Sequence, residues 1–335
     1  MKKLAIGIDI GGINTAFGLV DENGDLYADS VVSTKKFPLF TDYPAYVAEL
    51  TESLHALADS LSFEYELVGI GIGAPNANYH TGVIEHPANL WKFPVGETNP
   101  DESRRMFPLV DDIKKAFPGV ECRMTNDANA ATIGEMIYGN AKGMKDFIMI
   151  TLGTGLGSGF VANGEMIYGH DGFAGEFGHI PFFDNEIICS CGKKGCLETE
   201  VSGIAIEDKM CHLIQKGVNT ILKEKYDQQK TIHIDDIITA AKNDDNLSIE
   251  LIEEAGEKVG KAVAFLINTF NPETVIVGGN LAAAGDYIML PLKSATNKYS
   301  LNLVYKDTKF RVSKMTENAN AWGVAMLIRN KIIGL

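Results

Sequence analysis

The sequence predicts an α/β protein made of two related domains, and three observations predict it. Apolar runs of strand length alternate with stretches of helical spacing. Glycine-rich turns follow two of those runs, and the passage around the second turn repeats the outline of the first. With 335 residues, 45% of them apolar, the chain has the material for two cores.

The first copy opens as a meander, with strands expected over residues 4–9 and 15–20 and the Glu22-Asn23-Gly24-Asp25 turn leading into a third over 26–32. An amphipathic helix is expected over 43–61, then an apolar strand over 67–72 that stops at Gly73-Ala74-Pro75. In the second copy, residues 147–152 are apolar, Gly153-Thr154-Gly155-Leu156-Gly157 is a glycine turn, and Asn163-Gly164 closes a hairpin. Gly18-Leu19-Val20 precedes Asn23-Gly24 much as Gly159-Phe160-Val161 precedes Asn163-Gly164, so both copies run strand, glycine turn, strand, Asn-Gly turn.

Helices are expected over 204–222, 235–241 and 248–270, the last stopped by Asn271-Pro272. A buried strand over 274–277 then meets Gly278-Gly279-Asn280, and a terminal helix is expected over 319–332. The pattern puts a domain boundary near residue 120, dividing the chain into 1–120 and 121–318. The polar segment 223–246 has no functional reading.

The formal net charge of −14 repels phosphate backbones and anionic lipid, so neither nucleic acid nor a membrane surface is an expected partner. No apolar run reaches the roughly 20 residues of a membrane span. No signal-peptide pattern opens the sequence, and the expected location is the cytoplasm. On so acidic a chain, an anionic nucleotide has to be met by backbone N–H groups, helix ends and a metal ion.

Asp9-Ile10-Gly11-Gly12-Ile13-Asn14 sets a carboxylate at a strand end beside two residues that let backbone N–H groups approach a phosphate. Alone it reads equally well as a plain hairpin. Joined by the turn at 153–157, it becomes half of a clamp on a polyphosphate, with Asp9 placed to hold Mg²⁺ through water. Neither turn has the lysine of a P-loop. Gly278-Gly279-Asn280 offers backbone against which adenosine can lie, or a helix cap.

Asn126-Asp127 opens an Ala-rich helix running to about residue 138, and both side chains therefore sit at a positive helix end. They read as N-caps, or Asp127 reads as the acceptor of a substrate hydroxyl proton that the helix end keeps ionised and weakly basic.

Of five cysteines, Cys189, Cys191 and Cys196 crowd together while Cys122 and Cys211 stand alone. With His179 the cluster fills all four positions of a closed, structural Zn²⁺ site. A redox role fits less well, because Cys-x-Cys makes a strained disulfide and the acidic surroundings do not favour thiolate. Glu176 and Glu198 flank the same loop, and paired acceptors there suit a polyhydroxylated ligand. His55, His80, His86, His170, His212 and His233 lack such a setting and read as surface or packing residues.

These segments, together with Asn126-Asp127-Ala128-Asn129-Ala130, Thr151 to Gly157, Gly175-Glu176-Phe177-Gly178-His179 and Cys189 to Glu198, resemble the ROK family (repressors, open reading frames, kinases) along essentially the whole chain. The likeness is strongest to its glucokinase-like members. It implies two actin-like ATPase (ribonuclease H-like) domains with an interdomain cleft, and a C-terminal helix, 319–335, returning to the first domain. It implies an ATP-dependent hexose kinase acting on glucose, with Asp127 as the base. Asn89, Asn126, Glu176, His179 and Glu198 would contact the sugar, and His179, Cys189, Cys191 and Cys196 would hold structural zinc. ATP and Mg²⁺ would meet Asp9, Gly11, Gly12, Asn14, Gly153, Thr154, Gly155, Gly278 and Gly279.

Kinases of the same family acting on N-acetylmannosamine, N-acetylglucosamine, fructose or allose are alternatives, as is a non-catalytic sugar sensor or transcriptional regulator. A regulator carries an N-terminal helix-turn-helix, for which a phosphate turn starting at Asp9 is expected to leave no room. Family members are often homodimers or homotetramers. The chain departs from the family pattern at Ile13, usually Thr, at Asn76, usually Gly, and at Thr125, commonly Glu.

Overall fold

Strand β1 (Lys2–Ile10) is buried from Leu4 to Gly7 and on through Ile8, the mark of a central strand covered on both faces. The computed structural model describes residues 1–313 except Ala88 and Asn99. In it β1 pairs antiparallel with β2 (Thr15–Val20), and β2 with β3 (Leu26–Val32). On its other side β1 runs parallel to β4 (Tyr65–Gly73), which runs parallel to β5 (Cys122–Thr125), giving the order β3-β2-β1-β4-β5.

Parallel neighbours need crossovers, and helices supply them. Helix α1 (Tyr43–Ala58) lies between β3 and β4, and α2 (Leu109–Ala116) precedes β5. Tyr43, Tyr46, Leu50, Leu54 and Leu57 are buried on α1, a spacing of three and four that lines one helix face. Helix α3 (Asp127–Ile137) follows β5 directly.

The second sheet repeats the first. Strands β6 (Phe147–Leu152), β7 (Leu156–Ala162) and β8 (Glu165–Met166) form the meander, and β9 (Thr274–Gly278) and β10 (Lys309–Val312) add in parallel, in the order β8-β7-β6-β9-β10. The β7–β8 turn is Asn163-Gly164 with φ of 54° and 81°, the doubly left-handed geometry for which Asn-Gly is selected.

Four longer helices serve this sheet: α4 (Gly203–Gln215), α5 (Ile234–Lys242), α6 (Asn246–Phe270) and α7 (Asp286–Tyr299). Helix α4 stops well short of 222, because Gly217 turns to φ +86° and the Val218 N–H closes back on Leu213 O at 3.1 Å. Helix α6 ends where expected, with Asn271 left-handed at φ 45°. Sequence pattern did not reveal α7, which carries Pro291 inside it, or the short edge strand β10. Helix α7 packs on α6 almost backbone to backbone: a Cβ on Gly256 would lie 2.7 Å from Ile288 O, and one on Gly260 would lie 2.2 Å from Leu292 O.

The chain divides into two compact units, Met1–Gly143 with Tyr168–Ala174, and Met144–Ile167 with the described residues from Gly175 onward. The boundary expected near residue 120 is therefore corrected to 143. Cys122–Thr125 is the parallel neighbour of β4, so it and the helix it feeds belong to the first sheet. The short 168–174 piece joins that unit through the stacking of Tyr168 on Tyr79, with centroids 3.9 Å apart, and through Asn78 Nδ2 donating to Asp171 O at 2.9 Å. Each unit has its own apolar core, one around Ile6, Leu50, Ile70 and Trp91, the other around Ile150, Val259, Val277 and Leu292. The terminal helix expected over 319–332 lies outside the described residues. Among the described residues no helix is long and apolar enough to cross a membrane.

Candidate active site

In the first unit the pairing register sets Asp9 level with Gly73, and Gly73 level with Thr125. Three parallel strands thus end together, at the carboxyl edge where open α/β sheets bind ligands. The β1–β2 turn closes by the Gly11 N–H donating to Asn14 O at 2.9 Å. Ile13, where the family resemblance leads one to expect Thr, is 67% exposed at the turn's tip, and its carbonyl accepts from Lys35 N at 3.0 Å. Asn89 lies against Gly12, whose missing Cβ would sit 3.6 Å from Asn89 Cβ.

Beyond β5, Asn126 is the N-cap of α3: its Oδ1 accepts from Ala128 N at 2.7 Å and Asn129 N at 3.3 Å. That leaves its amide group to offer a ligand. Asp127 Oδ1 accepts from Ala128 N at 2.8 Å. The capping and functional readings are therefore compatible. The Asp127 side chain is exposed. Desolvation by the protein around it nonetheless raises its carboxyl above the usual carboxylate range, against the lowering effect of the Ala128 N–H and its own.

Asn76, standing where a glycine is usual, has φ 55°, a left-handed conformation that Asn tolerates better than most residues. The loop geometry of a glycine is thus kept. Thr125 is fully buried, and its Oγ1 has no hydrogen-bond partner among the described residues.

In the second unit the β6–β7 turn is held from two sides. Gly153 N donates to Gly155 O at 3.0 Å, and Gly153 O accepts from Gly203 N at 2.7 Å, which sets the N-terminus of α4 against the turn. Ser202 caps that helix, its side chain accepting from Ala205 N at 3.2 Å. Sequence reasoning did not connect α4 with the glycine turn, although Ser202-Gly203 at a helix start was the available signal. The positive end of a helix beside a glycine turn favours an anion. From the neighbouring strand end, Gly279 just past β9 has φ +83° and comes so close that a Cβ would lie 2.3 Å from Leu152 O, so no other residue fits between the two turns.

Leu156 N donates to Glu198 Oε2 at 2.8 Å, and a Cβ on Gly155 would lie 2.5 Å from that same oxygen. Glu198 Oε1 faces Cys189 Sγ at 4.0 Å, and Cys189 Sγ lies 3.5 Å from His179 Nδ1. The other ring nitrogen, Nε2, is 3.8 Å from Glu176 Oε2. The turn, Glu198, His179 and Glu176 are therefore one contiguous assembly. Glu176 and His179 flank a single 3₁₀ turn, Phe177–His179, anchored by buried Phe177.

Ligand atoms of His179, Cys189, Cys191 and Cys196 all lie within 4.8 Å of one another. Cys191 and Cys196 Sγ are 3.6 Å apart. A tetrahedral zinc with bonds of about 2.3 Å to sulfur and 2.0–2.1 Å to nitrogen needs edges of about 3.8 Å between sulfurs and about 3.6 Å between sulfur and nitrogen. The donor set and its spacing fit. Cys122 stands apart as expected, its thiol pushed up to about 12 by burial. His55 stacks on Phe117 at 4.2 Å and His80 Nε2 meets Gly169 O at 3.2 Å, which are packing roles.

Two sheets with one strand order, each bearing a glycine turn at the carboxyl end of its central strand, define the duplicated actin-like ATPase fold. The chain belongs to the ROK family, which matches it over residues 5–331. It is 31% identical to a glucokinase of Halalkalibacterium halodurans across 97% of this chain and 95% of that one. Among solved structures it is similar to a ROK family glucokinase from Streptomyces griseus in complex with glucose and AMPPNP (TM-score 0.77, 27% identity, 98% of this chain and 99% of that one). It is also similar to a ROK family transcriptional regulator (TM-score 0.85, 25% identity), covering 99% of this chain and 79% of the regulator.

Proposed function

We propose that the protein transfers the γ-phosphate of ATP to a hexose hydroxyl, O6 of glucose, giving glucose 6-phosphate and ADP. The observation that carries this reading is the anchoring of Glu198, which takes the Leu156 N–H at the glycine turn with one oxygen and faces the His179–cysteine cluster with the other. A phosphate-type turn and a hydroxyl-type acceptor set are thereby built as one piece. The glucokinase crystallised with glucose and AMPPNP supports the same pairing of ligands.

In this reading Asp127 accepts the hydroxyl proton as the sugar oxygen attacks the γ-phosphorus in line. The bond from that phosphorus to the β–γ bridging oxygen breaks, and ADP leaves with the electron pair. The raised proton affinity of Asp127 suits this role. A loose transition state asks mainly for orientation, with proton transfer late. The Asn126 amide, Asn89, Glu176, Nε2 of His179 and Glu198 orient the sugar. Gly11, Gly12, Asn14, Gly153, Thr154 and Gly155 receive the phosphates, Asp9 takes Mg²⁺ through water, and adenosine lies against Gly278 and Gly279. His179, Cys189, Cys191 and Cys196 would hold zinc, which with four protein ligands has no open position and serves to brace the loop. A cytoplasmic, homodimeric or homotetrameric enzyme belongs to the same proposal.

A second reading, a sugar-responsive regulator, is favoured by the TM-score of 0.85 to the ROK transcriptional regulator. The net charge of −14 opposes contact with a phosphate backbone. A coupled ADP assay over glucose, N-acetylmannosamine, N-acetylglucosamine, fructose and allose separates the readings. Glucose-dependent ADP release, with the other sugars at least about tenfold poorer in kcat/KM, is expected. Protein that binds glucose calorimetrically yet releases no ADP with any of these sugars would establish the regulator reading instead.

A further inference from the structure

Two residues flanking Asn89 are held in an unfavourable backbone conformation. His86 and Trp91, on either side of it, have φ of 46° and 43°, in the left-handed region that bulky residues avoid. Such outliers persist only where the surroundings over-determine them. Trp91 is 1% exposed, wedged among Tyr43, Tyr46 and Phe107 with ring centroids 5.0, 5.1 and 4.6 Å away. One end of the segment is therefore pinned by the core.

Beside the Asn76 amide, which donates to His86 O at 3.3 Å, a second side chain restrains the segment, one that no sequence motif singled out. Arg105 has a side chain only 13% exposed, and its Nη2 donates to Pro87 O and, at 3.4 Å, to Leu90 O. Its own carbonyl accepts from His86 N at 3.0 Å. One guanidinium nitrogen thus ties carbonyls on both sides of Asn89, while Asn89 itself rests on Gly12 of the phosphate turn. On the outer side the guanidinium lies 5.7 Å from the Phe93 ring, and Nη1 is 3.6 Å from Glu102. Arg105 reaches the segment only through its backbone, so nothing in these contacts depends on the side chain of Asn89.

We propose that Arg105 is a positioning residue for hexose binding, holding the carbonyls of Pro87 and Leu90 so that Asn89 is presented to the sugar beside Gly12. This rests on the sugar-kinase reading above and adds a residue outside its motifs. The two N–H groups of Nη2 are fixed in the guanidinium plane on a buried stem and so aim at both carbonyls, whereas the freely rotating ammonium of lysine does not hold those two directions fixed. Losing Arg105 should therefore loosen the sugar site and leave the ATP site as it was.

The test compares wild type, Arg105→Ala and Arg105→Lys in the coupled ADP assay, with glucose affinity measured separately by calorimetry. For Arg105→Ala, KM and Kd for glucose are expected to rise about 10- to 100-fold, in line with losing charge-assisted bonds, with KM for ATP within about twofold of wild type. Arg105→Lys should fall between, and added guanidinium ion should partly restore glucose affinity to the alanine variant. Should Arg105→Ala not fold, the lysine variant carries the same comparison. A variant with a lowered Tm but unchanged KM and Kd for glucose would make Arg105 a structural residue only and overturn the proposal. Wild type that binds glucose without turnover would instead defeat the kinase reading, and the Kd comparison would still decide the role of Arg105.

Discussion

The Leu156 backbone N–H and the Glu198 carboxylate are joined by a 2.8 Å hydrogen bond that ties the second glycine turn to the cysteine-rich loop. Residues 42 positions apart in sequence thus share one rigid contact. A Cβ on Gly155 would lie 2.5 Å from Oε2, so a side chain there would push the carboxylate off the Leu156 N–H.

Glu198→Ala should therefore damage both ligand sites at once. It leaves the Leu156 N–H without its partner and removes the proposed sugar acceptor, and we expect kcat/KM for glucose to fall at least about 100-fold, with KM for ATP rising as well. Kinetics that change for glucose alone would show that the turn does not need Glu198.

Asp127→Ala should lower kcat by about 10²- to 10⁴-fold while glucose Kd, read by calorimetry, stays within a few-fold. Turnover near the wild-type rate would remove Asp127 from the role of base.

The same residue makes a prediction about pH. Its folded-state pKa is raised by desolvation, so the ionised base is lost as pH falls through a value above the usual carboxylate range near 4. The acid limb of kcat/KM should lie correspondingly high. For stability the sign is opposite: a raised carboxyl favours the fold at low pH and loses that contribution as pH rises through the folded pKa. Asp127→Asn, which can keep the bond from Ala128 N, should raise Tm at neutral pH and leave it unchanged in acid. A Tm difference independent of pH would sink this account.

Metal analysis should find about one zinc per chain. Cys191 is the exposed member of the cluster, so Cys191→Ser disturbs little packing and isolates the effect of the metal. Loss of zinc, a lower Tm and weaker glucose binding are expected together, because the metal is linked to folding of the loop that carries Glu176, His179 and Glu198. Zinc-free folded protein with undiminished glucose affinity would break the link between metal and sugar.

Gly260→Ala separates propensity from packing. In an exposed helix interior the change would stabilise by up to about 1 kcal/mol. Here the added carbon would meet Leu292 O at 2.2 Å, backbone that cannot swing aside, and overpacking of about 1–3 kcal/mol should win. Thermal denaturation should show a lower Tm, and a rise would mean that α7 yields.

What could be read from the residues in order was chemistry that acts over a few positions. Asn163-Gly164 selects its own hairpin, Asn271-Pro272 ends α6, and three cysteines within eight residues of one another converge on a histidine ten positions before the first. The repeated strand–turn–strand outline was legible for the same reason. Helix α7 was hidden because Pro291 argues locally against it, and only Gly256 and Gly260 of another helix give it a bed. The placement of 122–143 depended on which strand pairs with β4, a choice between distant partners.

The carboxyl of Asp127 shows where local reading stops: the N–H groups of its own turn lower its pKa, and desolvation, which depends on the fold, raises it. Local signals in the sequence determined the turns, the cysteine–histidine cluster and the family. Burial, desolvation and contacts such as Leu156 with Glu198 or Arg105 with Pro87 were decided only by the tertiary structure, because they are properties of neighbours that the chain acquires by folding.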